Sequence, residues 1–367
     1  MVQIDRVHFY VRDAISSRDW FVRRLGFQSL ASFASDGVQT EAIRHGSLHF
    51  VLCSPRDREN SVANYLASHT PGVADVAFRV GDLDRIVKNA ISNGVPPRYP
   101  IRHRKFPRGE LRWTQIPAWG SLSHTLVERR GITPLLPEME ESEFTEASGS
   151  QSRDILFREI DHAVLNVPNG ELKAAVAWYR QVLGFQPQQE FAIQTARSAL
   201  YSQVMVHPQT GTQFPINEPG SDNSQIQEFI EVNRGAGIQH IALKTEKIIE
   251  AIARLRAAGV QFLSVPASYY EQQQQKTGFN FSETEWQNIA REQILVDWDA
   301  EESPAVLLQT FTQPIFAEPT FFFETIERRV GRVNGRIMPA PGFGEGNFQA
   351  LFEAIEREQM KRGSLRD

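Results

Sequence analysis

The feature of this 367-residue sequence that most restricts its fold is an internal duplication. Residues 4–11, IDRVHFYV, resemble residues 160–167, IDHAVLNV, and each is followed by an amphipathic segment that stops at Leu-Gly-Phe. A second pair, GVADVAFRV at 72–80 and GIQHIALKT at 237–245, also precedes an amphipathic segment that ends at a glycine. A glycine after an amphipathic segment is typical of a helix end. The sequence therefore predicts four similar units, each a strand followed by a helix.

Alternating, β-rich sequence follows each of these helices, so the repeating unit is βαβββ. Two such tandem modules per half can wrap their strands into one cupped, half-open barrel. The sequence therefore predicts an α+β protein with an N-terminal domain at residues 1–136 and a C-terminal domain at residues 155–367. Residues 137–154 are polar, acidic and poor in large apolar side chains, which is typical of a linker.

Composition limits the function classes. With 41% hydrophobic and 23% charged residues the chain is long enough for two domains, each with its own core. The net charge of -5 and the scattered basic residues argue against a nucleic-acid partner. The single cysteine, Cys53, excludes an internal disulfide, and neither a signal-peptide core nor a run of eighteen apolar residues occurs. We therefore expect a cytoplasmic protein without a membrane partner.

Because the two halves align, each serves as a control for the other. At three strand positions the N-terminal half has Arg, Asp and Thr where the C-terminal half has His, His and Glu. The aligned pairs are Arg6 with His162, Asp75 with His240, and Thr125 with Glu324. The candidate chemistry is therefore confined to the C-terminal half, and the N-terminal half is predicted to be a metal-free copy kept for packing.

Two imidazoles and one carboxylate are the facial-triad ligand set, which typically holds Fe(II) for oxygen chemistry and leaves cis positions open. Zinc is the competing metal, although hydrolytic zinc sites usually carry HExxH on a helix, a motif that this sequence lacks. A single strand histidine is more often a hydrogen-bonded core residue. Three such differences at equivalent positions favour a metal site.

The strand period of two places further side chains on the face of the predicted ligands. Phe322 precedes Glu324 by two residues, and Gln309 shares a face with Phe311 on the preceding strand. This pattern predicts an aromatic wall beside the metal. The alternative is that these phenylalanines belong to an ordinary core.

Several motifs in the second half, in this order, resemble the 4-hydroxyphenylpyruvate dioxygenase family, which has the vicinal-oxygen-chelate fold. The resemblance is dense over residues 160–358, and HFYVRDAISSRDWFVRRLGF in the first half fits as well. The motifs are RSALYSQVMV, PINEP, SQIQEF, GAGIQHIALKT, LLQTFTQP, PTFFFETIERR and GFGEGNFQALFEAIEREQ.

The resemblance implies that His162, His240 and Glu324 hold one Fe(II) per subunit. It also implies a substrate pocket that includes Ser202, Asn217, Gln225, Gln239, Gln309, Phe311, Phe322, Phe343, Asn347 and Phe348. On a regular strand Gln239, as the neighbour of His240, is expected to face away from the metal. A C-terminal helix from Phe348 to about Met360, capped by Asn347, is predicted to cover the active-site barrel.

The implied reaction converts 4-hydroxyphenylpyruvate and O2 to homogentisate and CO2 by oxidative decarboxylation, ring hydroxylation and side-chain migration. Its product can feed either tyrosine breakdown or prenylquinone synthesis. The resemblance also implies a homo-oligomer. One alternative is 4-hydroxymandelate synthase, which shares the first steps, and another is a metal-free protein of the same fold that binds an aromatic ligand. Residues 331–341 are longer and richer in Gly and Arg than the family pattern, which affects the position of the final helix.

Overall fold

The structure is a computed structural model that describes residues 1–139, 155–195, 197–298, 305–333 and 336–364. The side chains of residues 332, 333, 345, 348, 349 and 351 are also left undescribed. Most of the predicted linker, residues 140–154, and the side chain of Phe348 therefore lie outside the described residues.

The first half forms one eight-stranded sheet with the order β2-β3-β4-β1-β5-β8-β7-β6. Its strands are β1 Val2–Tyr10, β2 Gln28–Ser35, β3 Val38–His45, β4 Leu48–Pro55, β5 Gly72–Val80, β6 Arg102–Phe106, β7 Gly109–Pro117 and β8 Ser123–Gly131. Its helices are α1 Ala14–Leu25, α2 Ser61–Ser68 and α3 Leu83–Ser92.

The second half repeats this topology in a sheet with the order β10-β11-β12-β9-β13-β16-β15-β14. Its strands are β9 Glu159–Asn166, β10 Gln186–Gln194, β11 Ala199–Val206, β12 Gln213–Pro219, β13 Gly237–Lys244, β14 Leu295–Trp298, β15 Val306–Phe311 and β16 Phe322–Arg328. A hairpin of β17 Val330–Val333 and β18 Arg336–Pro339 follows. The helices are α4 Leu172–Leu183, α5 Gln225–Asn233, α6 Ile248–Ala257, α7 Ala267–Gln274, α8 Glu283–Arg291 and α9 Glu345–Arg362. The predicted fold of tandem βαβββ modules is confirmed.

The Leu-Gly-Phe motifs end their helices as predicted. Gly26 after α1 has φ 73° and Gly184 after α4 has φ 78°, the left-handed conformation that glycine adopts without a Cβ penalty. Within the described residues, no helix combines the length and the apolar character that a membrane crossing requires.

The two halves share a core, whereas the sequence suggested a separate core for each. The ring of Phe50 stacks on Phe323 with centroids 5.9 Å apart, and Phe9 meets Phe321 edge-on at 5.2 Å. All four belong to one buried cluster that contains residues of both sheets. The reason is that each half offers a large aromatic surface, and the burial of both surfaces against each other removes both from water.

Helix α9 covers the second sheet, as predicted, but it begins at Glu345, three residues earlier than expected. Asn347 is not its cap, because its side chain bonds to Tyr269 and Gln309 instead. Gly344 occupies the cap position with φ 78°, and a Cβ there would collide with the Gln309 amide. Glycine is therefore required where α9 starts.

A buried carboxylate fastens α9 to the turn between β10 and β11. Glu356 accepts hydrogen bonds of 2.6 Å from the hydroxyls of both Thr195 and Ser198. We expect Glu356→Ala to lower the free energy of unfolding by about 1–3 kcal/mol, because the buried Ser198 hydroxyl loses its acceptor and the partly buried Thr195 hydroxyl loses its shortest hydrogen bond. Urea unfolding monitored by circular dichroism measures this loss. Glu358→Ala on the same helix is the control, with an expected change within about 0.5 kcal/mol; equal losses in the two variants would contradict the prediction.

Candidate active site

The three candidate ligands lie on neighbouring strands: His162 on β9, His240 on β13 and Glu324 on β16. The Nε2 atom of His162 is 3.3 Å from Oε2 of Glu324, and Nε2 of His240 is 3.6 Å from the same oxygen. All three ligand atoms lie within 4.8 Å of one another. The structure thus brings together the residues that distinguish the second half from the first.

Two irregularities in the pairing of β9 with β13 orient the side chains around this cluster. The register shifts between Ile238 and His240, so Gln239 is the extra residue of a bulge. Gln239 and His240 consequently line the same cavity, and the expectation that Gln239 faces away is wrong. A second shift leaves Asp161 unpaired, which lets its carboxylate reach Nδ1 of His162 at 2.9 Å.

These residues fit a divalent metal ion. Glu324 is only 2% exposed and lies between two imidazoles, so its charge needs a cation or a proton nearby. Nδ1 of His162 is occupied by Asp161, which leaves Nε2 as the atom available to an ion. Nδ1 of His240 is buried without a hydrogen-bond partner, and its Nε2 also faces Glu324.

A cavity of about 660 Å³ opens in front of the cluster. Phe322 stacks on His240 at 4.9 Å, Phe343 meets His162 edge-on at 5.1 Å, and the ring of Phe311 is 6.2 Å from Phe322. The predicted aromatic wall is therefore present at the candidate ligands. The other sequence-predicted pocket residues that line the cavity are Ser202, Asn217, Gln225, Gln239 and Gln309.

The family model described as "Glyoxalase/Bleomycin resistance protein/Dioxygenase superfamily" matches residues 159–282. The 4-hydroxyphenylpyruvate dioxygenase of Coccidioides posadasii is 34% identical over 387 residues, covering 98% of this chain and 94% of that protein. The enzyme of the same name from Caenorhabditis elegans is 35% identical over 382 residues, covering 99% of this chain and 93% of its own. The chain belongs to the 4-hydroxyphenylpyruvate dioxygenase family.

A solved structure of a triple mutant of 4-hydroxymandelate synthase from Streptomyces coelicolor is similar to this member of the 4-hydroxyphenylpyruvate dioxygenase family. Its TM-score is 0.81 over 97% of this chain and 98% of that one, at 22% identity. At this identity the likeness shows the fold alone. As a member of the 4-hydroxyphenylpyruvate dioxygenase family, the chain is a dioxygenase with a small-molecule substrate. The enzymes of this family depend on a metal ion.

Gln309 and Asn347, two of the polar residues predicted from the dioxygenase family motifs, form a chain of hydrogen bonds that ends on the candidate metal ligand Glu324. Gln309 donates from Nε2 to Oε1 of Glu324 at 3.0 Å and accepts from Nδ2 of Asn347 at 3.0 Å. Asn347 in turn accepts from the Tyr269 hydroxyl at 2.7 Å. Asn347 is 1% exposed and lies behind Gln309, outside the residues that line the cavity. This chain of hydrogen bonds fixes the orientation of the Glu324 carboxylate.

An apolar part of the cavity wall was not predicted from the sequence; it comprises Val164, Phe191, Ile193, Leu200, Val204, Pro215 and Ile226. Phe352 and Ile355, which the amphipathic pattern of the final helix predicts to face the sheet, complete this wall. Phe191 and Ile193 alternate on β10. This alternation is the signal that could have identified Phe191 and Ile193. Asp161 and its partner Arg328, which donates to it at 2.7 and 2.8 Å, were also not predicted from the sequence.

The two imidazoles have opposite electrostatic environments. Burial lowers the pKa of His162, but the negative charges of Glu324 and Asp161 outweigh it and raise that pKa to about 9. Burial, together with the neighbouring His162, lowers the pKa of His240 well below its ordinary value. Burial opposes the charge of Asp161 too, but Arg328 and His162 hold its pKa well below the usual range. Near neutral pH, His162 of the metal-free site is therefore an imidazolium and His240 is a neutral imidazole.

Metal binding is expected to strengthen with pH between about 7 and 9. His162 is protonated below its pKa of about 9, and an ion can bind only its neutral form, so each ion displaces one proton. The affinity for Co(II), a redox-stable probe, should rise about tenfold per pH unit in this window and level off above it. Calorimetric titrations in buffers with different ionisation enthalpies count the released protons. An affinity that is independent of pH over this range would refute the assignment.

Proposed function

We propose that this member of the family converts 4-hydroxyphenylpyruvate and O2 to homogentisate and CO2, with one Fe(II) per chain held by His162, His240 and Glu324. When bound, ferrous iron supplies the open cis positions at which a 2-oxo acid and dioxygen can react. The remaining tasks fall to the protein: binding the substrate, orienting its ring and excluding water.

The distribution of charge in the cavity is the observation that carries this proposal. Among the described residues that line the cavity there is no lysine or arginine. A carboxylate buried without a cation is strongly disfavoured. An ion at the candidate ligands would therefore give the acid end of a 2-oxo acid a favourable position, from which the aromatic ring can contact Phe311, Phe322 and Phe343.

The wall formed by β11, β12 and α5 suits the hydroxyl group of the ring. Ser202 and Asn217 are paired across β11 and β12, and Gln225 contributes from the first turn of α5. The Oε1 atom of Gln225 is buried without a hydrogen-bond partner, so an acceptor is available to a phenol O–H. Phe352 and Ile355 of α9 close the cavity with apolar surface and help exclude bulk water.

Product identification tests the proposal. The protein is loaded with Fe(II) without oxygen, then mixed with 4-hydroxyphenylpyruvate and air while O2 and CO2 are followed, and the product is separated by chromatography with mass detection. We expect homogentisate, with one O2 consumed and one CO2 released per substrate, and no turnover by the Zn(II)-loaded protein. 4-Hydroxymandelate as product would assign the synthase reaction instead. Substrate binding without turnover or iron uptake would support a metal-free binding protein.

A further inference from the structure

Arg328 connects the candidate metal ligands to the segment that leads into α9. Its Nε and Nη2 atoms donate to the two oxygens of Asp161 at 2.8 and 2.7 Å, and Asp161 contacts Nδ1 of His162. Its Nη1 atom donates to the carbonyl oxygens of Ala340 and Gly342 at 3.0 and 2.8 Å. The side chain is only 7% exposed, so these contacts are shielded from water.

The first half contains the same arrangement, with Arg6 at the position of His162. Arg129, aligned with Arg328, donates from Nε and Nη2 to Asp5 at 2.9 Å, and Asp5 is aligned with Asp161. Arg129 also donates to the carbonyl oxygens of Pro134 and Leu135 at 2.5 and 2.8 Å. In both halves, therefore, an arginine of the last long strand binds the chain that follows it.

The segment held by Arg129 packs against the first sheet. Leu136 and Met139 are 4% and 1% exposed and pack with Ala42 and Val51 of β3 and β4. The position of His162 is occupied here by Arg6. Because the arrangement persists where an arginine replaces the histidine, the role common to both halves is to hold the segment that follows the sheet.

In the second half the held segment also touches the candidate ligands. It carries Phe343, whose ring lies 5.1 Å from that of His162 and 6.0 Å from the Arg328 guanidinium. The carbonyl of Phe343 accepts from Nε2 of Gln309 at 3.3 Å, and the same Nε2 donates to Glu324. The segment at 340–344 therefore contacts both ends of the ligand set just before α9 begins.

We propose that Arg328 is a positioning residue that couples metal binding to the seating of residues 340–352, the segment that closes the cavity. It acts through Asp161 on His162 and through the carbonyls of Ala340 and Gly342 on the closing segment. The inference rests on the proposed metal centre. An ion that orders His162 should also order the closing segment. Since coupling between two sites is reciprocal, displacement of the closing segment should weaken the affinity for the ion by the same factor.

Hydrogen exchange with and without Co(II) tests the coupling independently of catalysis. In the wild-type protein we expect Co(II) to slow exchange in residues 340–352 by about tenfold. In Arg328→Gln we expect the Co(II) affinity to fall about 10- to 100-fold, and Co(II) no longer to slow exchange in the segment. Arg328→Lys keeps a charge beside Asp161 but cannot span the carboxylate and both carbonyls, so it should regain part of the Co(II) affinity without the exchange response.

Arg129→Gln is the matched control, because it breaks the same contacts in the first half. It should leave both the Co(II) affinity and the exchange response unchanged. Equal weakening of Co(II) binding in the Arg129 and Arg328 variants would overturn the proposal, as would a normal exchange response in either Arg328 variant. If the wild-type protein binds Co(II) but its segment does not respond, the coupling alone fails. If it binds no Co(II), the proposed metal centre fails first.

Discussion

Replacement of His240 by alanine is expected to abolish metal binding and turnover while the fold survives. The variant leaves one imidazole and one carboxylate, which is too few protein ligands for a stable facial site. Its effect on folding should be small, because Nδ1 of His240 has no hydrogen-bond partner and Glu324 keeps its contacts with His162 and Gln309. We expect the free energy of unfolding of the metal-free protein to change by no more than about 1 kcal/mol.

Metal content by mass spectrometry, O2 uptake and urea unfolding measure the three parts of this expectation. His103→Ala is the control, since it removes a partly exposed imidazole that pairs with Glu110 on the edge of the first sheet. That variant should retain full metal content and activity. A His240→Ala protein that keeps one tightly bound ion and normal turnover would eliminate His240 as a ligand.

Replacement of Gln309 by leucine is expected to weaken metal binding about 10- to 100-fold, the usual effect of losing a group that orients a ligand. The change removes the donor to Glu324 and leaves Nδ2 of Asn347 buried without its acceptor. The free carboxylate can then rotate away from the two histidines. We expect kcat/KM to fall by at least the same factor, because a small misplacement near the reacting atoms is costly.

Competition between the protein and a chromophoric chelator measures the Co(II) affinity of this variant. Gln115→Leu is the matched control in the first half, where Gln115 donates to the buried Asp75 at 2.8 Å. Burial already raises the pKa of Asp75 to about 6, so the loss of this donor affects local stability but no metal ligand. If both glutamine variants lowered the Co(II) affinity equally, general destabilisation would replace ligand orientation as the explanation.

The sequence predicted the architecture and the grouping of three side chains because the duplication supplied an internal comparison. The same strand and helix periodicity occurs in four units, so the two halves were predicted to share one topology. The positions of His162, His240 and Glu324 stood out because their counterparts have a different chemistry. Neighbouring strands then brought the three together, as a cupped sheet requires.

Other parts of the site escaped prediction for identifiable reasons. Asp161 and Arg328 have identical counterparts in the first half, Asp5 and Arg129, so the differences between the two halves do not reveal them. The strand period failed at Gln239 because bulges depend on pairing between strands, and a single strand does not reveal its register. Asn347 resembled a helix cap in sequence, but Gln309 and Tyr269, both distant along the chain, engage its side chain.

The stacking of Phe50 on Phe323 has a consequence for how such a chain can evolve. The first half can change many of its polar residues without touching the candidate metal ligands, yet the phenylalanines that it packs against the second half must persist. A gene shortened to the second half would encode a protein with Phe321 and Phe323, each 1% exposed in the intact molecule, open to solvent. Selection for solubility, rather than for catalytic activity, would then preserve the internal duplication.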